Sequence, residues 1–139
     1  MALERSLSIL KPDAVSAGHA GEILAMIEND GFRILALRML RLSREQAEGF
    51  YAVHRQRPFF QSLVTFMTEG PVIAVALGRE DAVARLRELM GSTDPAQAAE
   101  GTIRKRFGST IERNAIHGSD SPENARSEVG YFFSSLDLG

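Results

Sequence analysis

The sequence predicts an α+β fold, a ferredoxin-like split βαβ sandwich with helices on one face of a four-stranded antiparallel sheet. Three observations predict it. Segments of period-two alternation and of helical spacing follow one another as strand, helix, strand, strand, helix, strand, with extra helices in the connections. At 139 residues, 44% of them apolar, the chain is long enough to bury a two-layer core. It has no cysteine, so that core must hold without disulfides or thiolate metal sites. No repeat or linker-like change of composition divides the chain, and residues 1–139 read as one domain.

The first strand is residues 6–10, where Leu7 and Ile9 alternate with serines; it stops at Lys11-Pro12-Asp13 because proline brings no donor to a ladder. A glycine-bounded turn follows. Residues 21–29 then place Ile23, Met26 and Ile27 at helical spacing, with Gly31 as C-terminal cap. Residues 32–42 read as a long strand well buried on one side, with Ile34, Ala36, Arg38 and Leu40 on one face and Leu35, Leu37 and Met39 on the other. Ser43 and Gln46 make a capping box for a helix to about residue 53; Arg57-Pro58-Phe59-Phe60 opens another, ended by Gly70-Pro71. The run 72–77 is apolar throughout and suits a central strand covered on both faces. A helix over 81–90 buries Val83, Leu86, Leu89 and Met90, which leaves Arg87 on the border between core and solvent. A long irregular stretch, 91–101, leads to a short basic helix near 102–107, a short strand at 115–117 and a helix from Ser121-Pro122 to about Phe132.

Sixteen basic and eighteen acidic residues leave a net charge of −2, which provides no dedicated nucleic-acid surface. The longest unbroken apolar run is far too short to span a bilayer, and the start of the chain carries no apolar leader segment. The expectation is a cytoplasmic protein without a membrane partner. Fourteen of the sixteen basic residues are arginine; the two lysines are Lys11 and Lys105.

Neither G-x-x-x-x-G-K-[ST] nor G-x-G-x-x-G occurs, so any phosphate site must be built from side chains. Polar candidates cluster at Lys11-Pro12-Asp13 and between Thr93 and Ser121. His117 is the sharpest: a neutral imidazole is a nucleophile that can carry a phosphoryl group, and Gly118 beside it would let a substrate approach the backbone. Taken alone, His117 reads rather as a hydrogen-bonded strand-end residue, and His19 and His54, which lack comparable polar company, read as ordinary structural histidines. Lys11, Arg87 and Arg104 read alone as surface charges, Tyr51 and Phe59 as core aromatics, Thr93 and Asn114 as turn residues.

Taken together, Asn114-Ala-Ile-His117-Gly-Ser119-Asp-Ser, Lys11-Pro-Asp, Arg57-Pro-Phe-Phe and Gly101-Thr-Ile-Arg104 resemble, in order and over essentially the whole chain, the landmarks of nucleoside diphosphate kinases. The resemblance implies transfer of the terminal phosphate of a nucleoside triphosphate, chiefly ATP, to a nucleoside diphosphate through a phosphohistidine. It makes His117 the nucleophile, supported by Glu128 on its other nitrogen and by Ser119. It assigns phosphate and ribose contacts to Lys11, Arg87, Thr93, Arg104 and Asn114, base stacking to Phe59, and a place near Lys11 and the transferring phosphate to Tyr51. It further implies Mg2+ borne on the nucleotide phosphates, with no protein metal site, and a homotetramer or homohexamer. Lys105-Arg106 departs from the family's usual small residue and aspartate, which makes this helix unusually cationic.

Overall fold

The structure, a computed structural model, describes residues 3–138. Strands β1 (Glu4–Leu10), β2 (Arg33–Leu40), β3 (Val72–Arg79) and β4 (Ile116–Gly118) form one sheet in the order β2-β3-β1-β4, every neighbouring pair antiparallel. Among the described residues the helices are α1 (Pro12–Ser16), α2 (Ala20–Asn29), α3 (Arg44–Phe50), α4 (Phe60–Met67), α5 (Ala82–Met90), α6 (Ile103–Phe107) and α7 (Pro122–Phe132). This is the ferredoxin-like split βαβ order.

The helix layer lies on both faces of the sheet rather than on one. β3 alternates between two cores: Val72, Ala74 and Ala76 pack with Leu7, Ile9, Val64 and Phe132, whereas Ile73, Val75 and Leu77 pack with Leu10, Ile23, Ile27 and Leu86. The crossover helices α2 and α5 therefore cover one face, and α3, α4 and α7, read from sequence as additions, cover the other. Two-sided burial of the 72–77 run follows directly from this.

Local chemistry sets most boundaries. Ser43 Oγ accepts from the Gln46 amide and the Gln46 side chain accepts from the Ser43 amide, so the capping box at α3 is complete, a device worth about 1 kcal/mol. α3 ends at Phe50, and a 3₁₀ turn, Ala52–His54, fills the rest of the segment expected as helix. Pro12 ends β1 and also begins α1 in the stretch expected as a turn, because its fixed φ suits the first helical position. β1 opens at Glu4, where pairing with Arg79 of β3 extends the ladder two residues beyond the alternating pattern.

β2 departs furthest from expectation. It lies at the sheet edge, and Leu37 and Met39 are 44% and 60% exposed. A bulge between Ile34 and Ala36 sends Ile34 toward the α2 core and Ala36 and Leu40 toward the α3–α4 core, so these residues do not share a face. On α5, Leu89 is half-buried rather than buried, and Arg87 is exposed.

Candidate functional site

A cleft of about 580 Å³ opens where the C-terminal end of β1, β4, and the first turns of α7 meet α3 and the segment before α4. It is lined by Lys11, Tyr51, Phe59, Arg87, Thr93, Arg104, His117 and Glu128. Asn114 is buried behind this wall, and Ser119 behind His117. The structure thus gathers into one region all ten residues that the sequence singled out.

The floor carries two buried cations. Lys11, 7% exposed, gives its ammonium to Asn114 Oδ1 at 2.9 Å, and Asn114 Nδ2 donates to the Thr93 carbonyl at 3.0 Å. Arg104, also 7% exposed, donates to the carbonyls of Gly91 and Ile116 at 3.1 and 2.8 Å, and its buried Nε has no partner. Neither makes an ion pair among the described residues. Burial, then the nearby Arg104 charge, brings the Lys11 ammonium down to about 8, and burial, then Arg87, brings Arg104 down to about 10. Desolvated cations that make no ion pair define a site poised for an anion.

A strained turn holds this floor together. Ala115 sits at φ +75°, and the Ile116 amide donates to the Asn114 carbonyl at 2.9 Å across it, forming a γ-turn of the rare hand. The Ala115 amide donates to Asp13 Oδ2 at 3.1 Å, and its carbonyl accepts from the Lys11 amide at 2.9 Å. Burial pushes the Asp13 carboxyl up from its ordinary value. Asp13 is one residue whose role sequence reasoning missed: the Lys11-Pro12-Asp13 motif is visible, but its contact reaches across the chain to a turn with no sequence signature.

His117, in β4, presents Nε2 to Glu128 Oε1 of α7 at 2.9 Å, and Ser119 Oγ donates to the same oxygen at 2.8 Å. The Leu7 amide donates to Ser119 Oγ at 3.2 Å, which ties this relay to β1. A carboxylate accepting from Nε2–H leaves Nδ1 with a free lone pair. Gly118 lines the cleft beside His117, and it also admits α5, since a Cβ there would lie 2.5 Å from Met90 Sδ.

The mouth is aromatic and open. Phe59 is 44% exposed at the start of α4, and His54 lies between it and Tyr51, with ring centroids 5.6 and 6.5 Å away. His54 therefore belongs to the cleft wall, whereas His19 packs on Phe107 on the α2 side. Tyr51 is buried, its hydroxyl has no partner, and burial followed by the Glu128 charge raises its ionisation above the ordinary tyrosine value. Outside the wall, Ser62 donates to Glu112 at 2.8 Å and Arg113 to Glu69 at 2.8 and 3.0 Å, strapping α4 to the segment before β4. Of the unusually cationic pair on α6, Arg106 reaches Glu22 of α2 at 3.2 Å.

Among the described residues no three His, Asp or Glu side chains come together as a metal cage. The carboxylates lining the cleft are Asp120 and Glu128, and Glu128 is engaged by His117 and Ser119. This donor set fits a divalent cation only if other oxygen ligands come with it, as phosphate oxygens would.

The family model described as nucleoside diphosphate kinase matches residues 4–138. A nucleoside diphosphate kinase of Halorhodospira halophila is 57% identical over 99% of this chain and 98% of its own. The solved Aquifex aeolicus nucleoside diphosphate kinase superposes with a TM-score of 0.97 at 50% identity, covering 99% of this chain and 100% of that one. The nucleoside diphosphate kinase of Halobacterium salinarum, solved in complex with CDP, gives 0.95 at 38% identity over 99% and 92%.

Proposed function

The chain belongs to the nucleoside diphosphate kinase family, and we propose that its nucleotide phosphotransfer, chiefly from ATP to a nucleoside diphosphate, runs by a ping-pong route through a phosphohistidine at His117. The observation that carries this reading is the pairing of two buried cations, neither in an ion pair among the described residues, with an imidazole that has one nitrogen engaged. The cations attract a polyphosphate, and the free nitrogen can attack it.

In the first half-reaction the Nδ1 lone pair attacks the terminal phosphorus; the phosphorus–oxygen bond to the leaving diphosphate breaks, and its electron pair stays on that oxygen. Glu128 holds the Nε2 proton and offsets the charge that grows on the ring, while Ser119 fixes the carboxylate. Lys11, Arg87 and Arg104 neutralise phosphate charge, the main demand of phosphoryl transfer. Asn114, with its amide engaged on both sides, orients Lys11 and the Thr93 backbone that meet the phosphates and ribose, and the protonated Tyr51 hydroxyl is a donor near the transferring group. A second nucleoside diphosphate takes the phosphoryl group by the reverse path. Magnesium brought in on the nucleotide phosphates would supply further charge neutralisation, and Asp120, which accepts from the Asn124 side chain, is the cleft carboxylate that would face it.

Phe59 stacks the base, and stacking alone tolerates any base because every base has a π face. The exposed β2 edge, with Leu37 and Met39, supports assembly into a homotetramer or homohexamer. We place the enzyme in the cytoplasm with its nucleotide substrates, as one domain over residues 1–139. Initial rates with ATP and GDP varied together test the route: ping-pong transfer gives parallel double-reciprocal lines, and intersecting lines contradict it.

A further inference from the structure

The imidazole of His117 is held from a third side that the proposed chemistry does not use. Phe50, the last residue of α3, meets it T-shaped with centroids 5.3 Å apart and planes at 77°, and packs equally close to Phe132 of α7. Tyr131 lies three residues past Glu128 on α7, with its ring 5.6 Å from Phe50, and its hydroxyl donates to the Gln46 carbonyl of α3 at 2.7 Å. Gly49, inside α3, makes that approach possible: a Cβ there would stand 2.5 Å from Tyr131 Oη and 3.5 Å from Cζ. Glycine is the poorest non-proline helix former, so its presence in the last turn opposes helix stability and serves the contact.

We propose that Tyr131 and Gly49 form a bolt between α3 and α7 that positions the His117 ring. Tyr131 is a positioning residue: through α3 it seats Phe50 against the imidazole, while Glu128, one turn earlier on the same helix, holds Nε2. The ring is thus fixed from two helices whose mutual placement the bolt sets. Reaction geometry is sensitive to small displacements, so a loosened ring slows transfer without weakening nucleotide binding on the opposite, cationic floor. This inference rests on His117 as the reacting group.

The test uses Gly49→Ala, Tyr131→Phe and the double variant of the full-length protein. It reads the single-turnover rate of His117 labelling from terminally labelled ATP, together with ADP affinity by calorimetry. Gly49→Ala drives Tyr131 off α3 and slows labelling about tenfold with ADP affinity unchanged; Tyr131→Phe, which keeps the ring and loses one hydrogen bond, slows it about two- to threefold. The double variant, freed of the oxygen that clashes, recovers to the Tyr131→Phe level. A Gly49→Ala protein that labels at the wild-type rate, or a double variant no faster than Gly49→Ala, overturns the bolt. If wild-type protein takes no label, the reaction proposed above fails instead. The bolt is then read from the His117 imidazole resonances, which Gly49→Ala must move and the double variant restore; unmoved resonances overturn it.

Discussion

The floor and the mouth of the cleft are built on opposite principles. On the floor, Lys11 and Arg104 are each 7% exposed and hydrogen-bonded to amide oxygens, and the turn at Ala115 is pinned from both sides by the Lys11–Asp13 segment. At the mouth, Phe59 is 44% exposed and Val53 88%. A fixed, desolvated floor acts strongly on the charge of a reacting phosphate, whereas an open aromatic mouth grips a base loosely and indiscriminately. Substitutions should therefore cost more on the floor and at the His117–Glu128 pair than at the mouth, and the ranking breaks or sharpens the contrast.

The largest effect is expected at His117. His117→Ala should lower steady-state transfer by about 10⁴-fold or more while ADP still binds by calorimetry. Glu128→Gln comes next, at about 10- to 100-fold in kcat, since an amide can still occupy the place but leaves the ring's growing charge unanswered.

Lys11 gives a pH signature. Its folded value, about 8, lies below the ordinary 10.5, because burial disfavours the charged form. As pH rises through about 8 the free enzyme loses this cation, so kcat/KM should fall there. Stability moves the other way: between about 8 and 10.5 the unfolded chain binds the extra proton, so this residue's contribution to stability rises with pH across that window. Lys11→Arg should slow transfer about tenfold at neutral pH, since a planar fork replaces a compact ammonium, and should abolish the alkaline fall assigned to Lys11. A pH–rate profile of both proteins checks it.

Phe59→Ala, at the mouth, should raise KM only about fivefold, near the low end for a lost stacking contact, and by similar factors for purine and pyrimidine diphosphates. Lys105→Ala is the smallest. Its ammonium makes no hydrogen bond or ion pair among the described residues, and kcat/KM should stay within about twofold of wild type.

What the sequence makes legible follows the same division. Proline stops, the Ser43–Gln46 box and the apolar 72–77 run are short-range signals, and the elements they predict are present. The exposure of β2 depends on its place at the sheet edge and on a bulge, neither of which alternation reveals. The covering of the second face by α3, α4 and α7 depends on where connecting helices dock. Every residue nominated for the site lies at or against the cleft, because the motifs name chemical types. Asp13, His54 and the α5 neighbour of Gly118 escaped, since each owes its role to a partner visible only once the chain is folded.

The central claim is that phosphate rests covalently on His117. Incubating the protein with terminally labelled ATP and magnesium, then separating it from nucleotide, should yield one label that survives alkali, is lost in acid, maps to His117 and leaves on addition of GDP or UDP. Absence of label on intact protein, or label persisting in His117→Ala, would contradict the account.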